Sequence, residues 1–183
     1  MIDDVVIEHK IASSDCRGVV NKPVSFDFLK KTNFGPLEEM FSSISKKNVW
    51  RGMHLQIGAS ASNRIIYCNR GRVKDYLIDL RKNSVTKEKI ISLELDCIKN
   101  NLVIFVPAGV AHGFLSLEED TEMVYLTDRK YNPNLDMGVN FKSLPFKSEI
   151  ETISGLVISS RDENLPSLSE YYMQVKGECI NGL

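Results

Sequence analysis

The sequence predicts an all-β sandwich or barrel, and three observations support this fold class. Six short β-forming runs follow one another at regular spacing between residues 64 and 127, each bounded by turn residues. Asn69 and Gly71 lie between the first two runs, where residues that tolerate positive φ favour a hairpin. The connections between runs leave no room for the helices of a βαβ fold. We therefore expect antiparallel strands that bury one face by pairing or curling.

The predicted strands are separated by short polar turns, at residues 81–84 and 100–101 among others. Outside this block the signals weaken: residues 26–40 indicate short helical turns, and the chain from residue 164 onward is typical of a polar, partly helical tail. The predicted strands are residues 64–68, 72–80, 89–95, 102–106, 111–117 and 122–127.

Composition limits the class of protein. The 183 residues, 43% hydrophobic and 26% charged, are typical of one globular domain over residues 1–183, without an internal boundary. A net charge of -1 does not support a general nucleic-acid or acidic-membrane surface. The chain lacks an apolar run of the ~18 residues that span a bilayer, and its acidic start is unlike a signal peptide, so we expect a cytoplasmic location. Its 4 cysteines form no CxxC pair and are expected to be free thiols.

Two of the 3 histidines lie in apolar, β-forming surroundings. His54 ends the apolar run V-W-R-G-M-H, and His112 lies in V-P-A-G-V-A-H-G-F, whereas His9 lies in a polar stretch. An imidazole titrates near neutral pH, so a site built around one favours proton transfer or metal binding. From the residues alone, a structural role in the core is the more common one for a lone histidine beside aliphatic residues.

Four ordered motifs resemble those of the dTDP-4-dehydrorhamnose 3,5-epimerases. K-N-V-W-R-G-M-H-L-Q at 47–56 resembles the family's N-V-L-R-G-L-H-x-Q, and G-R-V at 71–73 with D-L-R-K-N-S-V-T at 79–86 resembles its G-E-V and D-L-R-x-x-S-P-T. V-P-A-G-V-A-H-G-F at 106–114 is similar to I-P-x-G-F-A-H-G-F, and S-R-D at 160–162 to the late S-x-K-D. The resemblance covers roughly residues 46–168. It implies a cupin-type jelly-roll barrel with short flanking helices, usually a homodimer, without a metal or other cofactor.

The resemblance also implies an activity: epimerisation of a nucleotide-linked 4-keto-6-deoxy sugar. Inverting a carbon beside a ketone requires a base on one face, a group that stabilises the enolate oxygen, and an acid on the other face. His54 matches the family's base, Asp162 its carboxylate partner and Tyr125 its acid. The oxyanion position departs from the family, because Arg64 stands where a lysine is usual and arginine is longer and planar.

Four further residues match substrate contacts in the family. Arg51 is expected at the diphosphate, with which a guanidinium forms charge-assisted hydrogen bonds. His112 and Gln56 are expected to contact substrate, and Arg17, in a short D-x-R-G match, to reach the site of a dimer partner. A second departure lies upstream, where the family's polar Q-D-N corresponds to residues 39–41, E-M-F.

Three alternatives remain open. A 3- or 5-monofunctional epimerase or a ketoisomerase would share the same deprotonation and differ in where the proton returns. A metal-dependent cupin usually needs two or three histidines, with a His-x-His pair, plus a carboxylate, and the L-Q that follows His54 does not supply them. A non-catalytic sugar-binding cupin would not need His54, Asp162 and Tyr125 together.

Overall fold

Two β-sheets face each other in the structure, a computed structural model that describes residues 1–178 of the chain. This architecture confirms the all-β, jelly-roll prediction. All strand pairs are antiparallel except the one formed by the last, two-residue strand. The strands are β1 Val6–His9, β2 Ile11–Asp15, β3 Gly18–Lys22, β4 Glu39–Ser45, β5 Val49–Gln56, β6 Arg64–Arg70, β7 Arg72–Asp79, β8 Ile90–Asp96, β9 Leu102–Val106, β10 Val110–Ser116, β11 Thr121–Thr127, β12 Asp136–Gly138 and β13 Val157–Ile158.

The strands form two large sheets and one small hairpin. The order in the five-stranded sheet is β1-β9-β6-β11-β4, and in the six-stranded sheet β12-β5-β10-β7-β8, with β13 parallel to β5. Within the described residues, strands β2 and β3 pair only with each other, and their side chains are exposed. The helices are short: α1 Phe26–Leu29, α2 Lys147–Glu151, α3 Ser160–Glu163 and α4 Leu168–Glu178, with 3-10 turns at Gly58–Ser60, Pro133–Leu135 and Phe141–Ser143.

Alternation along the strands builds the core. On β6, Ile66 and Cys68 pack between the two sheets, whereas Ile65 and Tyr67 pack on the outer face with Phe28 of α1. This period of two is what a strand covered on both faces requires. The outer face of the six-stranded sheet is covered by the C-terminal third of the chain, and the predicted tail therefore contributes to the core. The cluster there includes Trp50, Tyr76, Phe141, Leu144, Ile150 and Tyr171.

The first four strands were not predicted from the sequence. In the part of the chain that the structure describes, β4 is an edge strand that pairs only with β11. Its E-M-F-S-S-I-S sequence has too few buried apolar positions to form a clear pattern. The expected helical turns are reduced to α1, which begins after Ser25, whose side chain accepts a hydrogen bond from the Phe28 amide.

Cys16, Cys68 and Cys97 are free thiols, as predicted, and Cys179 lies outside the described residues. Within residues 1–178, each helix is too short or too polar to cross a membrane.

Candidate active site

A cavity of about 540 Å³ opens between the two sheets. Strands β4, β5, β6, β10 and β11 supply its walls, and α3 closes one side. This volume lies in the usual range for small-molecule sites. Seven of the eight predicted site residues line this cavity, and Arg17 does not: the seven are His54, Asp162, Tyr125, Arg64, Arg51, His112 and Gln56.

The pairing of β5 with β10 places the two histidines side by side, and two glycines let these strands approach closely. His54 and His112 are direct partners in the antiparallel register. A Cβ atom added at Gly52, which has φ +122, would lie 2.5 Å from the Gly113 Cα, and one added at Gly113 would lie 2.8 Å from the Arg51 carbonyl oxygen. Only glycine permits this approach. Glycine is therefore required at these positions of the R-G-M-H and A-H-G-F motifs because a side chain there would collide with the backbone of the paired strand.

His54 and Asp162 form a dyad. The His54 Nε2 atom lies 2.7 Å from Asp162 Oδ1, and Asp162 Oδ2 accepts a hydrogen bond of 3.1 Å from the Gly52 amide. Burial raises the pKa of Asp162, but the hydrogen bond and charge of His54 outweigh it and leave the pKa below its usual value. An ionised carboxylate at Nε2 holds the proton there, so that Nδ1 is the ring nitrogen able to accept one. Ser159 caps the short helix that carries Asp162.

A second dyad, between His112 and Asp75, was missed by sequence reasoning. The His112 Nε2 atom lies 2.6 Å from Asp75 Oδ2, and both side chains are buried. Burial raises the pKa of Asp75, against the opposing effects of His112 and Arg64. Within residues 1–178, Asp75 Oδ1 has no hydrogen-bond partner. The available signal was a carboxylate placed inside the apolar strand V-K-D-Y-L-I-D-L, an arrangement that usually requires a partner.

Tyr125 lies on β11 at the boundary of the cavity, with only 8% of its surface exposed. Its ring stacks on Phe41, with centroids 4.8 Å apart and planes 11° apart, and meets His112 edge-on at 5.9 Å. Burial raises the pKa of the phenol, although the Ser43 hydroxyl and the charges of Arg64 and Arg51 act in the opposite direction. The phenol is therefore protonated at neutral pH and able to donate.

Arg64 lies beside both histidine strands. Its Nη1 donates to the His54 carbonyl oxygen over 3.2 Å and its Nη2 to the Val110 carbonyl oxygen over 2.7 Å. Its Nε has no partner among the described residues. Burial lowers the pKa of the guanidinium to about 10, so it stays charged at neutral pH. Arg64 both joins β5 to β10 and brings a positive charge to the cavity.

The other three predicted substrate contacts differ in their distance from the cavity and in whether their polar groups are free to bind a ligand. Arg51 lines the cavity and donates from Nε to Ser45 Oγ over 3.0 Å. The Gln56 amide is bonded at both ends to the backbone of Asn132, over 3.2 and 3.0 Å, so it secures the following loop. Arg17 lies in the exposed turn between β2 and β3, where it pairs with Asp15 at 2.6 Å, and is not part of its own chain's cavity.

The cavity mouth contains polar residues that sequence reasoning did not single out. Asp136 Oδ2 accepts hydrogen bonds from the Tyr131 hydroxyl, over 2.8 Å, and from Arg161 Nη2, over 2.6 Å. Glu39 accepts from the Tyr131 amide, and Arg129 also lines the cavity. Across residues 1–178, no group of three or more His, Cys, Asp or Glu side chains is arranged to hold a metal ion.

Comparisons with known proteins agree with this geometry. A family model described as dTDP-4-dehydrorhamnose 3,5-epimerase matches residues 1–170. The dTDP-4-dehydrorhamnose 3,5-epimerase of Escherichia coli K12 is 37% identical over 128 residues, which cover 70% of this chain and 69% of that protein.

Two solved structures extend the likeness to the fold. The dTDP-4-dehydrorhamnose 3,5-epimerase of Elizabethkingia anophelis NUHP1 matches with a TM-score of 0.81 and 30% identity, over 92% of this chain and 93% of that one. ChmJ, a 3'-monoepimerase from Streptomyces bikiniensis in complex with dTDP-quinovose, matches with a TM-score of 0.81 and 25% identity, over 94% and 88%.

Proposed function

This chain belongs to the dTDP-4-dehydrorhamnose 3,5-epimerase family, and we propose that it inverts C3, C5 or both carbons of a nucleotide-linked 4-keto-6-deoxy sugar. It is an isomerase. The observation that carries the proposal is the His54–Asp162 dyad in one cavity with a protonated, buried Tyr125. These groups are a base held in one tautomer and a neutral acid, the pair that inversion beside a ketone requires.

The reaction begins with removal of a proton from the carbon next to the ketone. His54 Nδ1 accepts the proton, the C–H electron pair forms a C=C bond to the carbonyl carbon C4, and the π electrons of the C=O bond move onto the oxygen, which becomes the enolate oxygen. Asp162 stabilises the imidazolium through Nε2, as the aspartate does in a Ser-His-Asp triad. The Arg64 guanidinium supplies the positive charge for the enolate oxygen, using N–H groups that the His54 and Val110 carbonyl oxygens leave free.

Inversion is completed from the opposite face. The Tyr125 O–H bond breaks, its proton forms the new C–H bond, and the enolate collapses to the ketone. The phenolate then regains a proton from solvent, and the imidazolium loses one to solvent. The same sequence at the second carbon completes a 3,5-epimerisation. A 3- or 5-monofunctional epimerase would stop after one carbon, and a ketoisomerase would return the proton to a different atom.

Binding of the nucleotide part is assigned to the cavity mouth. Arg51 and Arg129 line the cavity without a carboxylate partner among the described residues, so their charges are available to a diphosphate. His112, fixed by Asp75, is assigned to the sugar. Gln56 is assigned to substrate indirectly, through the loop that begins at Asn132.

We propose that the chain acts as a homodimer and that Arg17 completes the site of the partner. The β2–β3 hairpin carries Arg17 outside the two large sheets, with both of its strands exposed. An isolated two-stranded hairpin is marginal in water, so this one is expected to gain a neighbouring surface on assembly. A cytoplasmic location is likewise proposed, in keeping with the free thiols.

The test is proton exchange followed by NMR in deuterated water, on a panel of dTDP-, GDP- and CDP-linked 4-keto-6-deoxy sugars. A 3,5-epimerase labels C3 and C5 and inverts both, whereas a monofunctional enzyme labels and inverts one. A ketoisomerase moves the carbonyl group. An absence of exchange at C3 and C5 of every sugar in the panel contradicts the proposed function.

A further inference from the structure

Three alternate residues of the edge strand β4 face the cavity: Glu39, Phe41 and Ser43. Phe41 is the central one and is 49% exposed. Its position is the direct register partner of Tyr125 on β11.

The ring of Tyr125 is held on two sides. Phe41 covers one face in an almost parallel stack at 4.8 Å, and His112 approaches at 5.9 Å with planes 65° apart. His112 is itself fixed by Asp75, whereas Phe41 stands on a strand with one neighbour only. Of the two ring contacts of Tyr125, the one with Phe41 is therefore the one that a substitution can remove without disturbing a buried dyad.

We propose that Phe41 is a positioning residue that orients the Tyr125 phenol and so sets how often a deprotonated substrate is inverted. The proposal rests on the proposed function, in which Tyr125 supplies the proton for inversion. Proton removal by His54 does not depend on Tyr125. If the proton returns from the His54 side, the substrate is labelled with solvent deuterium but keeps its configuration. Phe41 therefore governs the ratio of inversion to exchange.

The kinetic test compares Phe41→Leu, Phe41→Tyr and the control Met40→Leu. Met40 is the adjacent residue, is 62% exposed and does not line the cavity, so the control introduces the same side chain outside the site. Removing an aromatic pair is expected to lower the inversion-to-exchange ratio about three- to tenfold in Phe41→Leu. Exchange into recovered substrate stays near the wild-type rate. Phe41→Tyr keeps the stack and restores the ratio, and Met40→Leu leaves it unchanged.

A second measurement does not depend on activity. In protein labelled at its tyrosine rings, the stacked Phe41 ring shifts the Tyr125 ring protons upfield, and Tyr125→Phe identifies their resonance. Phe41→Leu is expected to move this resonance downfield, and Met40→Leu to leave it in place. A resonance that is the same in wild type and Phe41→Leu overturns the proposal, as does a parallel fall of exchange and inversion. If the wild type is inactive on the sugar panel but Phe41→Leu still moves the Tyr125 resonance downfield, the result counts against the proposed function alone.

Discussion

His54 and His112 are direct partners across β5 and β10, yet they differ in access to the cavity. The His54 side chain is 27% exposed and pairs with Asp162 of α3, whereas that of His112 is 4% exposed and pairs with Asp75 of β7. The two imidazole–carboxylate pairs are thus similar in geometry but differ in how far the imidazole is exposed to the cavity. The more accessible one is suited to take a proton from a bound sugar, and the buried one to hold a fixed orientation.

Replacing His54 by alanine is expected to abolish exchange at both C3 and C5. A general base contributes about 10²- to 10⁴-fold, and the cavity offers no second imidazole of similar access. The measurement is deuterium incorporation by NMR, with circular dichroism to confirm the fold. His9→Ala, at an exposed histidine outside the cavity, is the control and should behave as wild type. Exchange at the wild-type rate in His54→Ala would show that another group is the base.

Asp162→Asn tests whether Asp162 holds the His54 proton on Nε2. The amide that replaces the carboxylate can donate to His54 Nε2, which moves the imidazole proton to Nδ1 and blocks the atom that should accept one. A fall in kcat of roughly 10³- to 10⁴-fold is expected, by analogy with the aspartate of a Ser-His-Asp triad. The matched control is Glu163→Gln, the next residue of α3, which is exposed. An equal loss in both variants would indicate damage to the helix instead.

Two substitutions at Arg64 distinguish the effect of its charge on catalysis from the effect of its hydrogen bonds on stability. Arg64→Lys retains a positive charge but reaches only one of the His54 and Val110 carbonyl oxygens, so we expect activity within about tenfold and a free energy of unfolding lower by ~1 kcal/mol. Arg64→Met removes the charge and should lower kcat by about 10²- to 10³-fold. Denaturant unfolding and steady-state kinetics give the two quantities. Wild-type kcat in Arg64→Met would exclude Arg64 from the oxyanion role.

The sequence predicted the strands of the barrel well because their alternation reflects burial on both faces. It did not predict β4, whose position depends on pairing with β11, more than 70 residues away along the chain. The motifs pointed to His54 and Asp162, which the fold brings together from β5 and α3. Asp75 and Phe41 were missed because the register between strands sets their partners. The carboxylate of Asp75 inside an apolar strand signals that a partner is required but does not say which one.

Asp79 is expected to make stability depend on pH. Burial raises the pKa of this carboxyl, but hydrogen bonds from Arg81, Ser84 and Thr86 outweigh it and lower the pKa to about 2. The unfolded value is ~3.9. The stabilisation is therefore complete above the unfolded pKa and is lost as the pH falls towards the folded one. Its size at neutral pH is on the order of 2 kcal/mol.

The check is urea unfolding of wild type and Asp79→Asn between neutral pH and pH 2. The wild type should be the more stable at neutral pH, and the difference should shrink as the pH falls below the unfolded pKa. The control is Asp120→Asn, at a carboxylate whose side chain takes part in none of these hydrogen bonds. A difference that does not change with pH would assign the effect to packing instead of charge.

Mixing two defective variants tests whether Arg17 acts in the partner's site. Among residues 1–178, the exposed Arg17 side chain pairs only with Asp15 of its own hairpin, so its loss should leave the fold intact while substrate binding weakens. In dimers of His54→Ala and Arg17→Ala chains, the Arg17→Ala chain keeps its own His54 and receives Arg17 from its partner. Random exchange makes half of the dimers mixed, so roughly a quarter of all sites are complete. Activity should thus recover after unfolding and refolding of the mixture, but not in either variant treated alone. If Arg17 served its own chain's cavity, every site in the mixture would still lack one residue, and the activity would stay at the mean of the two variants.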